Sequence, residues 1–249
     1  MQRYFTLVRR ELGGYFASYS GYVVIAAVLF LLGLSFSDIL AKLDTPTDAP
    51  LTEDFFITFY FWIILLLTAP VMTIRSFALE KFSGTYETLM TSPAGDLQVV
   101  LAKFSGALVF FTLTWLPLFA YLLIVRRYSD DPSPLDGRVL ASTFLGIVLI
   151  GAVYMALGCL ASSLTRNQTV AAMLSYAMGL SIFLLSLRAL VASPTSGWAV
   201  KIYSHIAMTD HLEQFARGMV DTRVLVYYLS LTVFFLFLTW KVVESRRWR

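Results

Sequence analysis

The sequence predicts an all-α integral membrane protein with six transmembrane helices. Of its 249 residues, 58% are hydrophobic and only 14% are charged, whereas a soluble domain has about 25% charged residues. More than half of the chain lies in six runs without a charged residue: 12–37, 55–74, 104–125, 139–165, 167–187 and 224–240. Since a helix crosses a bilayer core of about 30 Å with about 20 residues, these runs have the lengths of spans.

The runs are helices rather than barrel strands. Strands of an outer-membrane barrel alternate apolar and polar residues over about ten positions, but stretches such as 23–34 are apolar on all sides. The last run has only 17 uncharged residues, so its span includes Arg223 and Lys241, whose long side chains reach the interface. We predict a single transmembrane domain over 1–249, with spans at about 18–38, 55–74, 99–125, 138–164, 168–190 and 222–243.

Residues 2–16 precede the first span and have the pattern of an amphipathic helix that lies in the membrane interface. One helical face carries Tyr4, Phe5, Val8, Leu12, Tyr15 and Phe16, and Arg3, Thr6, Arg10 and Gly13 point away from it. A cleaved signal peptide is the competing interpretation of the first apolar run. Its uncharged core of 26 residues is too long for one.

The segment between the fifth and sixth spans is less regular. Its apolar part, 189–200, is too short to cross the membrane and contains Pro194 and Gly197. We predict a short re-entrant helical segment over 193–220 that dips into the outer leaflet and returns. A simple surface helix is the alternative.

The distribution of charge predicts the orientation. If the N-terminus is cytoplasmic, the inside segments have a net charge of +6 and the outside segments a net charge of −3. Positive charge marks the cytoplasmic side of a membrane protein. We therefore predict a multi-pass protein with both termini in the cytoplasm.

The sequence lacks the common catalytic motifs. It contains no P-loop, no HExxH and no GxSxG, and a single Cys159 excludes an intrachain disulfide. His205 and His211 are six residues apart and do not share a helix face. We expect no catalytic residue, no metal site and no cofactor bound by this chain. No charged residue lies in the middle of a run, which argues against a proton-driven or sodium-driven carrier.

The inner loop after the second span is the most informative segment. Its apolar residues repeat at helical spacing: Ala78, Phe82, Tyr86, Leu89 and Met90. They predict a cytoplasmic helix over 76–90 with Glu80 and Glu87 on its opposite face and Gly84 between them. A soluble partner with a basic, apolar-lined groove would take such a helix. The alternative is a helix that lies on lipid, although two carboxylates facing an anionic leaflet argue against it.

This loop resembles the coupling-loop signature of ABC type-2 exporter permeases. That signature has an arginine at the end of the second span, then Phe-Ala-x-Glu, Gly-Thr-x-Glu-x-Leu and Thr-x-Pro, and a lysine that opens the third span. The matching residues are Arg75, Phe77, Ala78, Glu80, Gly84, Thr85, Glu87, Leu89, Thr91, Pro93 and Lys103. Ala102 stands where the family often has glycine.

The resemblance extends over nearly the whole chain. It includes Gly158, Ser162, Ser163, Thr165, Asn167 and Gln168, then 217–230 with Arg217, Gly218 and Asp221, and finally 244–248. This combination is most similar to the gliding-motility-associated branch of the family. The resemblance implies a protein of the bacterial inner membrane.

The resemblance also implies the function and the partners. The chain would be the permease subunit of an ATP-driven exporter, in which 76–90 passes the movement of the ATPase to the spans. Separate ABC nucleotide-binding subunits would bind ATP and Mg, and the other partners would be a second permease half, the lipid bilayer and an accessory extracytoplasmic protein. We expect no nucleic acid partner. The alternative is a membrane anchor or scaffold whose ATPase does mechanical or regulatory work without a transported substrate.

Overall fold

The computed structural model describes residues 2–42, 55–56, 58–86, 95–128, 137–191 and 205–245. This part of the chain is helical and contains no strand, which confirms the predicted all-α class. The helices are α1 Gln2–Phe16, α2 Tyr19–Lys42, α3 Phe59–Thr73, α4 Ala78–Ser83, α5 Asp96–Trp115, α6 Pro117–Tyr128, α7 Gly137–Leu164, α8 Gln168–Val191, α9 Met208–Ala216 and α10 Thr222–Ser245.

Six helical segments within the described residues are long and apolar enough to cross a membrane, as predicted. They are Tyr19–Ala41, Phe59–Ser83, Asp96–Ile124, Gly137–Leu164, Gln168–Leu187 and Thr222–Ser245. Two of them are composite. The second comprises α3, a turn and α4. The third comprises all of α5 and most of α6, which are separated at Leu116. Pro117 begins α6, where its missing N–H costs no helical hydrogen bond.

Helix α7 is the centre of the bundle. It contacts α3, α5, α8, α9 and α10, and 83% of its apolar stretch is buried inside the protein. Glycines let its neighbours approach closely. A Cβ atom at Gly151 would lie 2.1 Å from Cε1 of Phe111, and one at Gly158 would lie 2.1 Å from Oγ1 of Thr73. The α5–α7 and α3–α7 contacts therefore depend on these two positions.

The bundle has two distinct ends. At one, which we call the Lys103 end, α1, α4, the start of α5 and the ends of α7 and α10 meet around a buried cluster that includes Phe77, Ala156, Cys159 and Val243. At the other, the α9 end, α9 packs against the start of α7 and the end of α8.

Helix α9 lies within 205–220, the described part of the predicted re-entrant segment. It is held to the bundle by two hydrogen bonds: Ser142 Oγ donates to Phe215 O at 2.6 Å, and Met208 N–H donates to Ser186 Oγ at 2.8 Å. Residues 193–204 lie outside the described residues. The immersion of this segment in the outer leaflet stays a prediction.

Candidate functional site

The segment after α3 forms the core of the site. The chain turns over 74–77, forms α4 and reaches Gly84, which has φ +74°. A residue with this left-handed conformation ends a helix, and glycine adopts it without a steric cost. The predicted continuous helix over 76–90 is therefore wrong: α4 begins at Ala78 and ends at Ser83. Thr85 and Tyr86 are helical again.

This break removes the argument that Glu80 and Glu87 share a face. Seven residues give a common direction only along one uninterrupted helix, and Gly84 interrupts it. Glu87, Leu89 and Pro93 lie outside the described residues, so their predicted roles stay predictions.

The side chain of Ser162, which lies on α7, caps the N-terminus of α4. The N–H groups of Phe77 and Ala78 donate to Ser162 Oγ at 3.1 and 3.0 Å, and Ser162 Oγ donates to the carbonyl oxygen of Ile74 at 3.3 Å. The first N–H groups of a helix have no partner within it, and Phe77 at the N-cap offers no side-chain acceptor. Lys81 Nζ adds a second link by donating to the carbonyl oxygen of Ser163. Both links attach α4 to the end of the central helix.

Lys103 is the centre of an ionic cluster. Its side chain is only 2% exposed, and its Nζ lies 3.1 Å from Glu11 Oε1 and 2.8 Å from Glu80 Oε1. The ammonium group also lies 5.4 Å from the ring centroid of the fully buried Phe77. Arg10 Nη2 contacts the same two carboxylates at 3.0 and 3.3 Å. Four charges from α1, α4 and α5 thus neutralise one another, as buried charges require.

This cluster gives Glu80 partners within its own chain, and its predicted role in coupling to the ATPase stays a prediction. The sequence argument offered its carboxylate to a partner protein, but its side chain is 17% exposed and its Oε1 pairs with Lys103 and Arg10 of the same chain. The physical reason is that a buried ammonium group needs nearby anions. Glu11 and Arg10 were not predicted as site residues. A usable signal existed, because Glu11 is the single acidic residue among 2–16.

A cleft of about 580 Å³ lies between α1 and the segment 75–85. Its lining residues are Leu7, Arg10, Glu11, Gly14, Tyr15, Arg75, Ser76, Leu79, Glu80 and Thr85. Arg75 is exposed, and its Nη1 donates to Ser18 Oγ at 2.9 Å. Thr85 is also exposed, with Oγ1 2.9 Å from Ser83 Oγ. Burial raises the pKa of Tyr15, so its neutral hydroxyl donates to the Met72 carbonyl oxygen at 2.8 Å.

Several other motif residues form helix ends. Gly218 has φ +80°, and its N–H donates to the Phe215 carbonyl oxygen at 3.1 Å, while Met219 N–H donates to that of Gln214 at 2.9 Å. These two bonds form a Schellman motif after α9. Asp221 caps α10, because its Oδ1 accepts the Arg223 N–H at 2.8 Å.

Asn167 caps α8 in the same way, since its Oδ1 accepts the Thr169 N–H at 2.9 Å. Gln168 is the first residue of α8. Arg217 follows α9 directly and is paired with Glu213 of that helix. The structure therefore brings Phe77, Glu80 and Lys103 together and leaves these motif residues in structural positions.

The fold and the site define the class of protein. It is a multi-pass membrane protein in which the segment after the second span contacts the beginning of the third span through Glu80 and Lys103. The particular family follows from sequence comparison. The profile of the ABC-2 family transporter protein matches residues 22–243, and the chain belongs to this family. It is thus a transmembrane subunit of an ABC transporter and is not an enzyme by itself. No curated protein matches the chain.

Proposed function

We propose that this chain is the permease subunit of an ATP-driven ABC exporter in a bacterial inner membrane, within the gliding-motility-associated branch of the family. Its segment 75–86 docks a separate ATPase subunit, which binds ATP and Mg. A second permease half completes the transmembrane unit. The +6 and −3 charge split supports a cytoplasmic location for the Lys103 end and for both termini.

The observation that carries this proposal is the double attachment of α4. Ser162 attaches it to α7, and Lys103 attaches it to α1 and α5. A force applied to α4 would therefore reach the centre and the edge of the bundle together. Helix α4 also presents Phe82, whose side chain is 75% exposed. An exposed aromatic residue beside a cleft is a typical anchor of a protein interface.

The test is retention of the ATPase subunit on a tagged permease in mild detergent. Phe82→Ala should reduce retention by about tenfold or more, since truncating an interface anchor costs about 2 kcal/mol or more. Gly84→Trp should also reduce retention, because its bulk would hold the two docked backbones apart. Phe5→Ala is the matched control, because Phe5 is 65% exposed on α1 outside the docking segment. Full retention by both variants would contradict docking through this segment. The scaffold alternative predicts the same docking and differs in the absence of a transported compound.

A further inference from the structure

We propose that Lys103 clamps α1 to the docking helix α4, so that α1 moves with α4 during the ATP cycle. This inference rests on the proposed function and adds a moving element that the sequence motif does not contain. In the proposed clamp, Glu11 and Lys103 are positioning residues, which act through α4 and contact neither ATP nor substrate.

The ammonium group of Lys103 gives the clamp its strength. It is almost fully removed from solvent, and its two carboxylate partners come from different helices, Glu11 from α1 and Glu80 from α4. Moving the two helices apart would leave the buried ammonium group with fewer anions, which is unfavourable in a poorly solvated site. The cluster therefore resists separation of α1 from α4 much more than an exposed ion pair would.

The packing of α1 against α5 determines which other helix would move with α1. Glu11 Cβ lies 2.8 Å from the position that a Cβ atom at Gly106 would take, and Tyr4 Oη lies 2.7 Å from Ser105 Oγ. The ring of Tyr15 stacks on Phe110 with a centroid distance of 4.8 Å. Helix α1 is therefore packed along the middle of α5, from Lys103 to Phe110. A displacement of α4 would move α1 and α5 as a pair.

A change at Glu11 tests the clamp separately from docking, because Glu11 lies on α1 and not on the docking segment. Without its carboxylate, Lys103 and Arg10 would share Glu80, and the direct charged link between α1 and α4 would be Arg10 to Glu80 at 3.3 Å. The Arg10 side chain is 52% exposed, so solvent screens that link. Glu11→Gln should therefore loosen α1 while α4 keeps its attachment to Ser162.

The experiment compares two cysteine reporters in the assembled complex, each in a Cys159→Ala background. Gly14→Cys reports on α1: its side chain would meet nothing within 4 Å, and position 14 lines the cleft. Thr85→Cys reports on the docking segment. The rate of labelling by a charged thiol reagent is measured with and without ATP and Mg.

In the wild-type cluster, ATP should change the labelling rate of both reporters by about threefold or more, a modest coupling effect. In the Glu11→Gln variant, the response of Gly14→Cys should become smaller while that of Thr85→Cys persists, because α1 is then linked to α4 only through its packing on α5 and through Arg10. Glu244→Gln is the matched control, because it removes a carboxylate from the exposed pair with Lys241, whose atoms lie 2.7 Å apart. It should leave both responses unchanged.

The outcomes separate the two proposals. If Gly14→Cys does not respond in the wild-type cluster, or responds to the same extent in Glu11→Gln, the clamp is wrong while docking stands. Loss of the ATPase subunit from Glu11→Gln would also overturn the clamp, because Glu11 would then be a docking residue. If Thr85→Cys never responds and both Phe82→Ala and Gly84→Trp keep the ATPase, the proposed function itself is wrong.

Discussion

At the scale of single residues, Lys103 shows how a charge is retained at the start of an apolar span. Its position in the motif was predictable from the sequence. Its partner Glu11 was not, because 92 residues separate the two and no local spacing rule joins them. Only the packing of α1 on α5 brings that carboxylate to the ammonium group.

Removing the lysine should destabilise the protein because two carboxylates then face each other. We expect Lys103→Met to lower the free energy of unfolding by about 3 kcal/mol, as for other broken buried pairs. Combining it with Glu11→Gln and Glu80→Gln should recover much of the loss, since no buried unpaired charge then remains and the 52% exposed Arg10 side chain is solvated. Thermal unfolding in detergent measures both variants. Equal destabilisation of the single and triple variants would show that the charges are not the cause.

His211 should make stability depend on pH. It lies in α9, is 6% exposed, and its ring packs against Tyr227 and Tyr228 with centroid distances of 5.7 Å. Burial lowers its pKa, although the nearby charge of Asp210 opposes the shift. The unfolded chain therefore binds a proton more readily than the folded one at pH values below about 6.5.

Stability should accordingly fall as the pH drops below about 6.5 and should not depend on this residue above that value. Melting temperatures of wild type and His211→Phe, measured across this range, test the expectation. The variant should lose most of the acid-side decline, whereas His205→Gln, which changes an exposed histidine, should keep it. A wild-type pH profile in His211→Phe would contradict this account.

At the scale of helices, the hydrophobic pattern of the sequence predicted where helices form better than it predicted where they break. Long uncharged runs predicted the spans because lipid requires apolar, internally hydrogen-bonded helices. The spacing of Ala78 and Phe82 correctly indicated a helix after the second span. It did not reveal that Gly84 adopts a left-handed conformation, because a glycine within a helical pattern is compatible with either continuation or termination.

The contact between α3 and α7 depends on a missing side chain. A Cβ atom at Gly158 would overlap Thr73 Oγ1, and Thr73 is itself fully buried with Oγ1 bonded to the Ala69 carbonyl oxygen at 2.7 Å. We expect Gly158→Ala to destabilise the bundle by about 1–3 kcal/mol through overpacking. Thr73→Ala in the same chain should restore part of this loss by removing the overlapping atoms.

Gly13→Ala provides the control, because its added methyl group would meet nothing within 4 Å. It should be neutral or stabilising, since alanine favours helix more than glycine does. Thermal unfolding of the four proteins gives the comparison. If Thr73→Ala adds its own cost to Gly158→Ala without any recovery, steric overlap is not the reason for the glycine.

At the scale of the whole molecule, hydropathy predicted how many spans there are but not which one is central. Tyr19–Ala41 and Gly137–Leu164 have nearly equal mean hydropathy, 2.5 and 2.4. However, only 28% of the apolar stretch of the first helix is buried inside the protein, whereas 83% of that of the second helix is buried. Lipid is as apolar as a protein interior, so composition does not separate the two environments. The many small residues of α7 are the sequence feature that indicates close contact.

The orientation of the bundle is a prediction at this scale. The charge split places the Lys103 end in the cytoplasm and the α9 end outside. Single cysteines at Thr85 and Met219, both exposed positions, should therefore label oppositely with a membrane-impermeant thiol reagent in intact cells. A Cys159→Ser background suits both because Cys159 is buried. Equal labelling of the two positions would contradict the orientation.

The most direct test of the central claim is photo-crosslinking from position 82 in native membranes. A photoreactive phenylalanine in place of Phe82 should crosslink the chain to a protein that mass spectrometry identifies as an ABC ATPase, since Phe82 is exposed on the docking helix. The same probe at Met219, at the α9 end, should give no ATPase crosslink. An ATPase crosslink from position 219, or none from position 82 in an intact complex, would contradict the account.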